Sequence, residues 1–235
     1  MKRVAITRAE PEASRTAERV RALGAESIVA PLLTIEPRAF DSNTNGVQAL
    51  LFTSANGVRA FAYASVDRDI AAVTVGEATA QAARDAGFGN VQSADGDSEA
   101  LARFIITHLD PARGRVLHIS GADVAGDLVG ALAQAGFDAE RRLAYEAVAA
   151  PQLPAALHEP CDIMLFHSAR AARAFVRLGA PHANQTAAAC LSPAVARAAA
   201  DSPQGRINWL RLIVSPYPRE EALLQAALAP TDASA

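Results

Sequence analysis

The sequence predicts a parallel α/β fold built from two duplicated domains. Short apolar runs alternate with longer alanine- and arginine-rich segments of helical period, and strand followed by helix, repeated, is typical of a parallel sheet covered by helices. Several helical segments end at glycine, as at Gly24, Gly87 and Gly136, which is the residue favoured just past a helix C-terminus. The two halves of the chain also resemble each other. Together these observations indicate the fold class.

The apolar or β-branched runs are short, so each is predicted as a strand. In chain order they are Val4–Thr7, Ser27–Val29, Ala49–Thr53, Ala72–Val75, Val116–Ile119, Ile163–Phe166, Ala187–Leu191 and Ile207–Ile213. The segments between them have helical period, and the predicted helices are Pro11–Leu23, Ala55–Ala64, Glu77–Ala86, Glu99–Leu109, Val124–Ala135, Ala169–Leu178, Ala194–Ala200 and Arg219–Leu228. The small, polar tail after Pro230 is predicted to be frayed.

The internal repeat appears as matching pairs of segments in the same order along the two halves. The offsets grow slowly along the chain, from 112 to 122 residues. The matches are Val4 and Gly24 with Val116 and Gly136, Phe52–Phe61 with Phe166–Phe175, Val75–Ala83 with Leu191–Ala199, and Glu99–Leu101 with Glu221–Leu223. Alanine-rich helices produce chance matches, but four ordered pairs indicate two copies of one α/β unit, near residues 4–109 and 116–228.

Two extended stretches without turn residues follow the first two elements of each copy. They are Ser27–Pro37 and Glu140–Pro151. Both are too long for a tight connection between helix and strand, so each is predicted to run out of one domain into the other. Two antiparallel crossings would form a two-stranded hinge with the cleft between the domains, and clefts between domains are common ligand sites.

Composition excludes several classes of protein. The 235 residues carry a net charge of −3 and only 5% aromatic residues, which disfavours a nucleic-acid binder. Two cysteines, Cys161 and Cys190, cannot build a disulfide framework or a cysteine-based zinc site, and both are predicted as small core residues. There is no apolar signal segment and no run of membrane-spanning length, so a cytoplasmic protein without membrane contact is predicted.

Six short motifs in this order resemble the uroporphyrinogen-III synthase family across nearly the whole chain. They are Ala5–Arg8, Phe52–Ser54, Val75–Ala80, Leu143–Val148, Phe166–Ser168 and Ser215–Pro218. The chain departs from the family in two loops. Ser120–Gly126 has no basic residue where relatives often carry arginines, and Ser192-Pro-Ala194 stands where relatives often have Gly-Pro-Thr.

The resemblance implies an enzyme that closes hydroxymethylbilane, a linear tetrapyrrole with eight carboxylates, into uroporphyrinogen III. Water is lost and ring D is inverted through a spiro intermediate, with no cofactor. It also implies two flavodoxin-like domains: residues 1–32 plus 150–235, and residues 37–146, with hinge strands at 33–36 and 147–149. Domains joined in this way are expected to move relative to each other. A monomer is expected, with transient contact to the preceding enzyme of the pathway left open.

The resemblance assigns catalysis to Tyr145. A phenol stays protonated at neutral pH and can donate a proton or hydrogen bond to a departing hydroxyl. The alternative is a tyrosine packed at a domain interface with its hydroxyl merely satisfied.

Substrate binding is predicted for polar residues that follow strands or begin helices, where free N–H groups and the helix dipole favour carboxylates. These residues are Arg8, Ser54, Asn56, Gly76, Thr79, His167, Ser168, Ser192 and Ser215. The alternative for the hydroxyl residues is plain N-capping. For Arg8 it is an ion pair with Glu10 or Glu12, and for His167 it is a structural role.

A second hypothesis from another class remains open. Two duplicated α/β lobes on a double hinge also describe non-catalytic small-molecule binding or sensor proteins. Tyr145 discriminates between the two, because a binder needs no acid there. A nucleotide-dependent enzyme is disfavoured, since Val75–Ala80 lacks the spacing of a phosphate-binding loop.

Overall fold

The structure is a computed structural model that describes residues 1–124 and 126–230. The strands are β1 (Arg3–Ile6), β2 (Glu26–Val29), β3 (Leu33–Pro37), β4 (Val47–Phe52), β5 (Ala71–Thr74), β6 (Val91–Ser93), β7 (Arg115–Gly121), β8 (Ala139–Ala149), β9 (Ile163–Phe166), β10 (Ala187–Cys190), β11 (Asp201–Ser202), β12 (Gly205–Arg206) and β13 (Arg211–Val214). The helices are α1 (Glu12–Ala22), α2 (Ala55–Ala64), α3 (Glu77–Asp85), α4 (Ser98–His108), α5 (Leu128–Gln134), α6 (Ala169–Arg177), α7 (Pro193–Ala200) and α8 (Glu220–Leu228). The predicted parallel α/β fold is confirmed. The predicted fraying of the tail concerns residues 231–235, which lie outside the described residues.

The chain divides into two compact units. Unit 1 comprises residues 1–34 and 148–235, and unit 2 comprises residues 35–147. The chain passes from one unit to the other within β3 and again within β8.

Unit 1 contains a five-stranded sheet in the order β13-β10-β9-β1-β2, in which every neighbouring pair is parallel. A separate antiparallel pair, β11-β12, also lies in this unit. Successive side chains of a strand point to opposite faces. Accordingly, Val4 and Ile6 pack on the face covered by α1 and α8, whereas Ala5 packs on the other face with α6 and α7. Both faces are therefore buried, as in a three-layer α/β/α domain.

Unit 2 contains a six-stranded sheet in the order β3-β8-β7-β4-β5-β6. The alternation is the same: Ala49 and Leu51 of β4 face α4 and α5, and Leu50 and Phe52 face α2 and α3. Phe52 lies at the centre of an aromatic group, with ring centroids 6.4 Å from Phe61 and 5.9 Å from Phe88.

The two sheets share one spatial order, but each is assembled from both copies of the repeat. The order β2-β1-β9-β10-β13 in unit 1 corresponds to β8-β7-β4-β5-β6 in unit 2. By the sequence matches, β1 corresponds to β7 and β9 to β4. Each unit thus combines the first two strands of one copy with the last three of the other.

Two predicted elements begin several residues later than expected. The last long strand was predicted over Ile207–Ile213, but β13 begins at Arg211. Trp209 lies before it and is buried, its ring stacked on Phe175 at 5.6 Å. The first part of the apolar run is therefore a loop that packs into the core, and only the part from Arg211 is a strand. The helix predicted from Val124 begins only at Leu128, because the Asp127 carboxylate accepts a hydrogen bond from the Gly130 N–H and caps the helix there.

Gly57 allows α2 to approach β7 closely. A Cβ atom at this position would lie 2.5 Å from the backbone oxygen of Ile119. Helix propensity alone predicts that Gly57→Ala would stabilise the protein. The clash with the Ile119 backbone makes the same change destabilising. We expect the free energy of unfolding to fall by about 1–3 kcal/mol, as for overpacking in a core.

Chemical denaturation with circular dichroism measures this change. The matched control is Gly89→Ala in the same unit, where an added Cβ meets no atom within 4 Å. An unchanged denaturation midpoint in Gly57→Ala, with the control also unchanged, would contradict the prediction.

No helix in the described part of the chain combines the length and apolar character needed to cross a membrane.

Candidate active site

In unit 1, Arg8 and His167 meet at the carboxyl edge of the sheet, just past β1 and β9, and both contact Glu220. The Glu220 Oε1 atom lies 3.2 Å from Arg8 Nη1 and 3.2 Å from His167 Nε2. The same oxygen accepts a hydrogen bond from the Thr16 hydroxyl, and Oε2 pairs with Arg19. Arg8 is therefore held by an acidic residue of the C-terminal helix α8.

The surroundings of Glu220 set the charge state of this cluster. Burial raises the pKa of the Glu220 carboxyl, but hydrogen bonds from His167 and Thr16 outweigh it and hold the pKa at about 2. Burial lowers the pKa of the His167 imidazole, and the bond to Glu220 offsets this only in part. A neutral ring that donates its Nε2–H to Glu220 carries a lone pair on Nδ1. That buried Nδ1 has no hydrogen-bond partner among the residues described.

The predicted serines of unit 1 are engaged with nearby backbone. Ser168 and Ser192 are N-caps, and their hydroxyl oxygens accept hydrogen bonds from the N–H groups of Ala171 (3.2 Å) and Val195 (3.4 Å). Ser215 follows β13, is buried, and donates its hydroxyl to the Tyr217 carbonyl. The capping geometry of Ser168 and Ser192 places the N-termini of α6 and α7 at the same sheet edge as Arg8.

In unit 2, the predicted residues of the first two helices lie at the carboxyl ends of β4 and β5. Ser54 caps α2 by accepting a hydrogen bond from the Asn56 N–H at 3.2 Å, and the Asn56 side chain accepts one from Arg59 at 2.5 Å. Gly76 is the N-cap of α3. Thr79 lies in the first turn of that helix and is 7% exposed. Its side chain is therefore packed inside the unit, with little surface at the edge of the sheet.

Tyr145 lies opposite the last residue of β7. In the β7–β8 pairing it is the partner of Gly121, and the Ala122 N–H donates to its carbonyl at 3.0 Å. The ring packs against Gly121, and the side chain is half-buried. No hydrogen bond joins its hydroxyl to another of the described residues.

A buried histidine that sequence reasoning missed lies beside the same edge. His118 Nε2 is 3.0 Å from the Thr53 hydroxyl, and the residue is 3% exposed. Burial, followed by the positive charge of Arg141, lowers the pKa of His118 to about 4. The Arg141 guanidinium is itself fixed by Ser120 Oγ at 2.8 Å and by the Gly121 carbonyl at 2.7 Å.

Among residues 1–124 and 126–230, no three histidine, cysteine, aspartate or glutamate side chains are grouped so as to hold a metal ion. Cys161 and Cys190 are buried and unpaired, and burial raises the pKa of both thiols, that of Cys190 to about 12. Neither is suited to act as a thiolate.

A sequence model described as uroporphyrinogen-III synthase HemD matches residues 14–225. The chain belongs to the uroporphyrinogen-III synthase family. Membership assigns it a cyclising lyase reaction of porphyrin biosynthesis, with a tetrapyrrole substrate. The functional prediction made from the motifs is confirmed at this level, and the alternative of a non-catalytic binding or sensor protein is not supported.

Solved structures agree on the fold. Uroporphyrinogen-III synthetase from Helicobacter pylori is 19% identical, with a TM-score of 0.68, covering 97% of this chain and 99% of its own. A mutant uroporphyrinogen III synthase from Thermus thermophilus is 18% identical, with a TM-score of 0.52, covering 96% of each chain. A search of curated proteins returned no match.

Proposed function

We propose that this uroporphyrinogen-III synthase cyclises hydroxymethylbilane to uroporphyrinogen III, with Tyr145 assisting loss of the terminal hydroxyl of ring A. The hydroxyl leaves as water with the added proton, and the remaining azafulvenium cation is attacked by the substituted carbon of ring D. The spiro intermediate then fragments and recloses with ring D reversed, and the proton that ring D releases as it regains aromaticity restores the Tyr145 phenol. The geometry of Tyr145 carries this proposal.

Three features support a donor role for Tyr145. Its backbone is tied to β7 by the hydrogen bond from Ala122, its ring rests on the flat surface of Gly121, and its hydroxyl bonds to none of the described residues. A general acid has to be fixed in place and still be accessible to the group that it protonates. Tyr145 meets both conditions at the sheet edge where ligands bind in parallel α/β domains.

Carboxylate binding is proposed for the helix N-termini at each sheet edge. Ser54, Ser168 and Ser192 cap α2, α6 and α7, and the amides of a first helical turn attract anions through the helix dipole. This accounts for a polycarboxylate ligand on a chain with a net charge of −3. Arg8 adds a charged contact whose orientation is set by Glu220.

Isomer choice is proposed to depend on the shape in which the bound chain is folded. Spontaneous closure uses the free carbon of ring D and gives the type I isomer. Holding the substituted carbon nearer to ring A is a task of positioning, which can lower a barrier by several kcal/mol without a nucleophile. The enzyme is further proposed to be a cytoplasmic monomer that binds no nucleic acid.

The decisive experiment supplies freshly prepared hydroxymethylbilane to the purified protein and measures the ratio of type III to type I product. We expect predominantly type III product at a rate well above that of spontaneous closure. Binding of substrate without acceleration and with type I product would contradict the proposal.

Single removal of a capping serine is expected to weaken the enzyme without abolishing activity. Ser54→Ala, Ser168→Ala and Ser192→Ala keep the backbone amides that we assign to carboxylate binding. A lost cap or hydrogen bond costs about 0.5–2 kcal/mol of stability. Even if all of it were lost from binding of the transition state, activity would fall by no more than about 30-fold, with type III product retained.

Initial rate, isomer ratio and thermal denaturation are measured for each serine variant. The control is Asp110→Ala, which removes a capping carboxylate from the turn before β7, at the opposite edge of the sheet, where the Asp110 carboxylate accepts a hydrogen bond from the Ala112 N–H. Complete loss of activity in a folded Ser168→Ala, with Asp110→Ala active, would contradict binding by the backbone.

A further inference from the structure

The ring of Tyr145 fills the space at the end of β7 where a side chain at position 121 would lie. A Cβ atom built on Gly121 would lie 2.7 Å from Cε2, 2.8 Å from Cζ and 3.1 Å from the hydroxyl oxygen of Tyr145. Distances below 3.0 Å require one of the two groups to move. All three atoms belong to the hydroxyl-bearing side of the ring, so the group that an added methyl would displace is the phenol itself.

The backbone at this point keeps the two residues opposite each other. The pairing of β7 with β8 shifts register between Ser120 and Gly121, so that Ser120 is opposite Leu143 but Gly121 is opposite Tyr145. Such irregularities re-aim side chains next to active sites. The hydrogen bond from the Ala122 N–H to the Tyr145 carbonyl closes the ladder just beyond the shift, so a clash would be relieved by rotation of the ring before movement of the strand.

The conformation of Gly121 does not itself require glycine. Glycines in the left-handed region of this chain include Gly114, Gly126 and Gly136, but Gly121 is outside that region. Alanine can therefore adopt the Gly121 backbone, and the reason for glycine is the neighbouring ring.

We propose that Gly121 is a positioning residue for the reaction. Because it has no side chain, the Tyr145 ring can pack against the end of β7 with its hydroxyl at the edge of the sheet. This inference rests on the proposed role of Tyr145 as proton donor. It adds a specific requirement, namely that the hydroxyl must occupy the place that a Gly121 side chain would take.

The test is a double-mutant cycle on the purified enzyme with hydroxymethylbilane as substrate. Gly121→Ala is expected to lower kcat by about 10- to 100-fold, the cost of misplacing a catalytic group by about 1 Å, with KM changed less than threefold. In a Tyr145→Phe background, the same Gly121→Ala change should lower kcat by less than about threefold, because the hydroxyl that it misplaces is already absent. Gly89→Ala serves as the control and should match the wild type.

Each outcome has a distinct meaning. Wild-type kcat in Gly121→Ala, with an impaired Tyr145→Phe, would overturn the positioning role and leave the proposed function standing. Wild-type kcat in Tyr145→Phe would overturn the proposed role of Tyr145 as proton donor, on which this inference rests. An equal loss from Gly121→Ala in both backgrounds would show an effect independent of the hydroxyl and would also overturn the inference.

A second variant pair keeps the test decisive if Gly121→Ala does not fold. Removing the ring in the double variant Gly121→Ala with Tyr145→Ala should then restore the native circular dichroism spectrum, because the clash has no partner. Failure of the double variant to fold, while Tyr145→Ala alone folds, would overturn the inference.

Discussion

Tyr145→Phe is expected to lower kcat by about 10²–10⁴-fold, the usual contribution of a general acid. The change removes only the hydroxyl, which bonds to none of the described residues, so the fold and the packing on Gly121 should be retained. Initial rates with hydroxymethylbilane measure the loss. The product should remain type III, because isomer choice is proposed to depend on the folded shape of the bound chain.

The matched control for this variant is Tyr63→Phe, which removes a hydroxyl from an exposed tyrosine of α2 in the same unit. It should have wild-type kcat. Equal activity of Tyr145→Phe and Tyr63→Phe would remove the catalytic role, and a shift of Tyr145→Phe toward type I product would show that the phenol positions the substrate.

Acidification is expected to destabilise the protein through His118. Burial and Arg141 hold the pKa of His118 at about 4 in the folded state, against about 6.5 in an unfolded chain. Between these values the unfolded state binds more protons, so stability falls as the pH falls. The free energy of unfolding is unaffected by His118 above about pH 6.5. It falls as the pH drops from about 6.5 to about 4, by about 3 kcal/mol in total.

Denaturation at a series of pH values tests this, with His118→Gln compared to the wild type. The variant should be less sensitive to pH between about 6.5 and 4. His108→Gln, at an exposed histidine of α4 in the same unit, should keep the wild-type pH dependence. Identical pH profiles for His118→Gln and the wild type would show that another group carries the acid sensitivity.

The alternation of strands and helices could be predicted from the sequence because each element has a local signal. The predicted helix Ala55–Ala64 and strand Ile163–Phe166 agree with α2 and β9 residue for residue. β6 was missed, since Val91–Ser93 is three residues long and only partly buried. Trp209 was assigned to a strand because apolar character alone does not separate a strand from a buried loop residue.

The candidate site was predictable only in part. Residues such as Ser54 and Ser168 could be placed at sheet edges because strand ends and helix caps are local features. The partner of Arg8 could not be predicted, because Glu220 lies 212 residues away in sequence. An acidic residue in the first turn of a helix does not indicate which distant side chain it contacts. Gly121 entered the sequence analysis only as part of the Ser120–Gly126 loop that lacks basic residues, and its contact with Tyr145 depends on a register shift that no sequence pattern indicates.

The exchange of strands between the repeat copies has a consequence for biosynthesis. Unit 2 is contiguous and is complete once Ala147 has left the ribosome, whereas β1 must wait for its neighbour β9, whose pairing joins Val4 to Ile163. The first-made strands therefore wait longest for the rest of their sheet. The described ends of the chain meet, with Lys2 Nζ donating to the Ala229 carbonyl at 3.2 Å. A circular permutant joined there and opened between Thr34 and Ile35 would make both units uninterrupted, and would allow each to fold as it is synthesised.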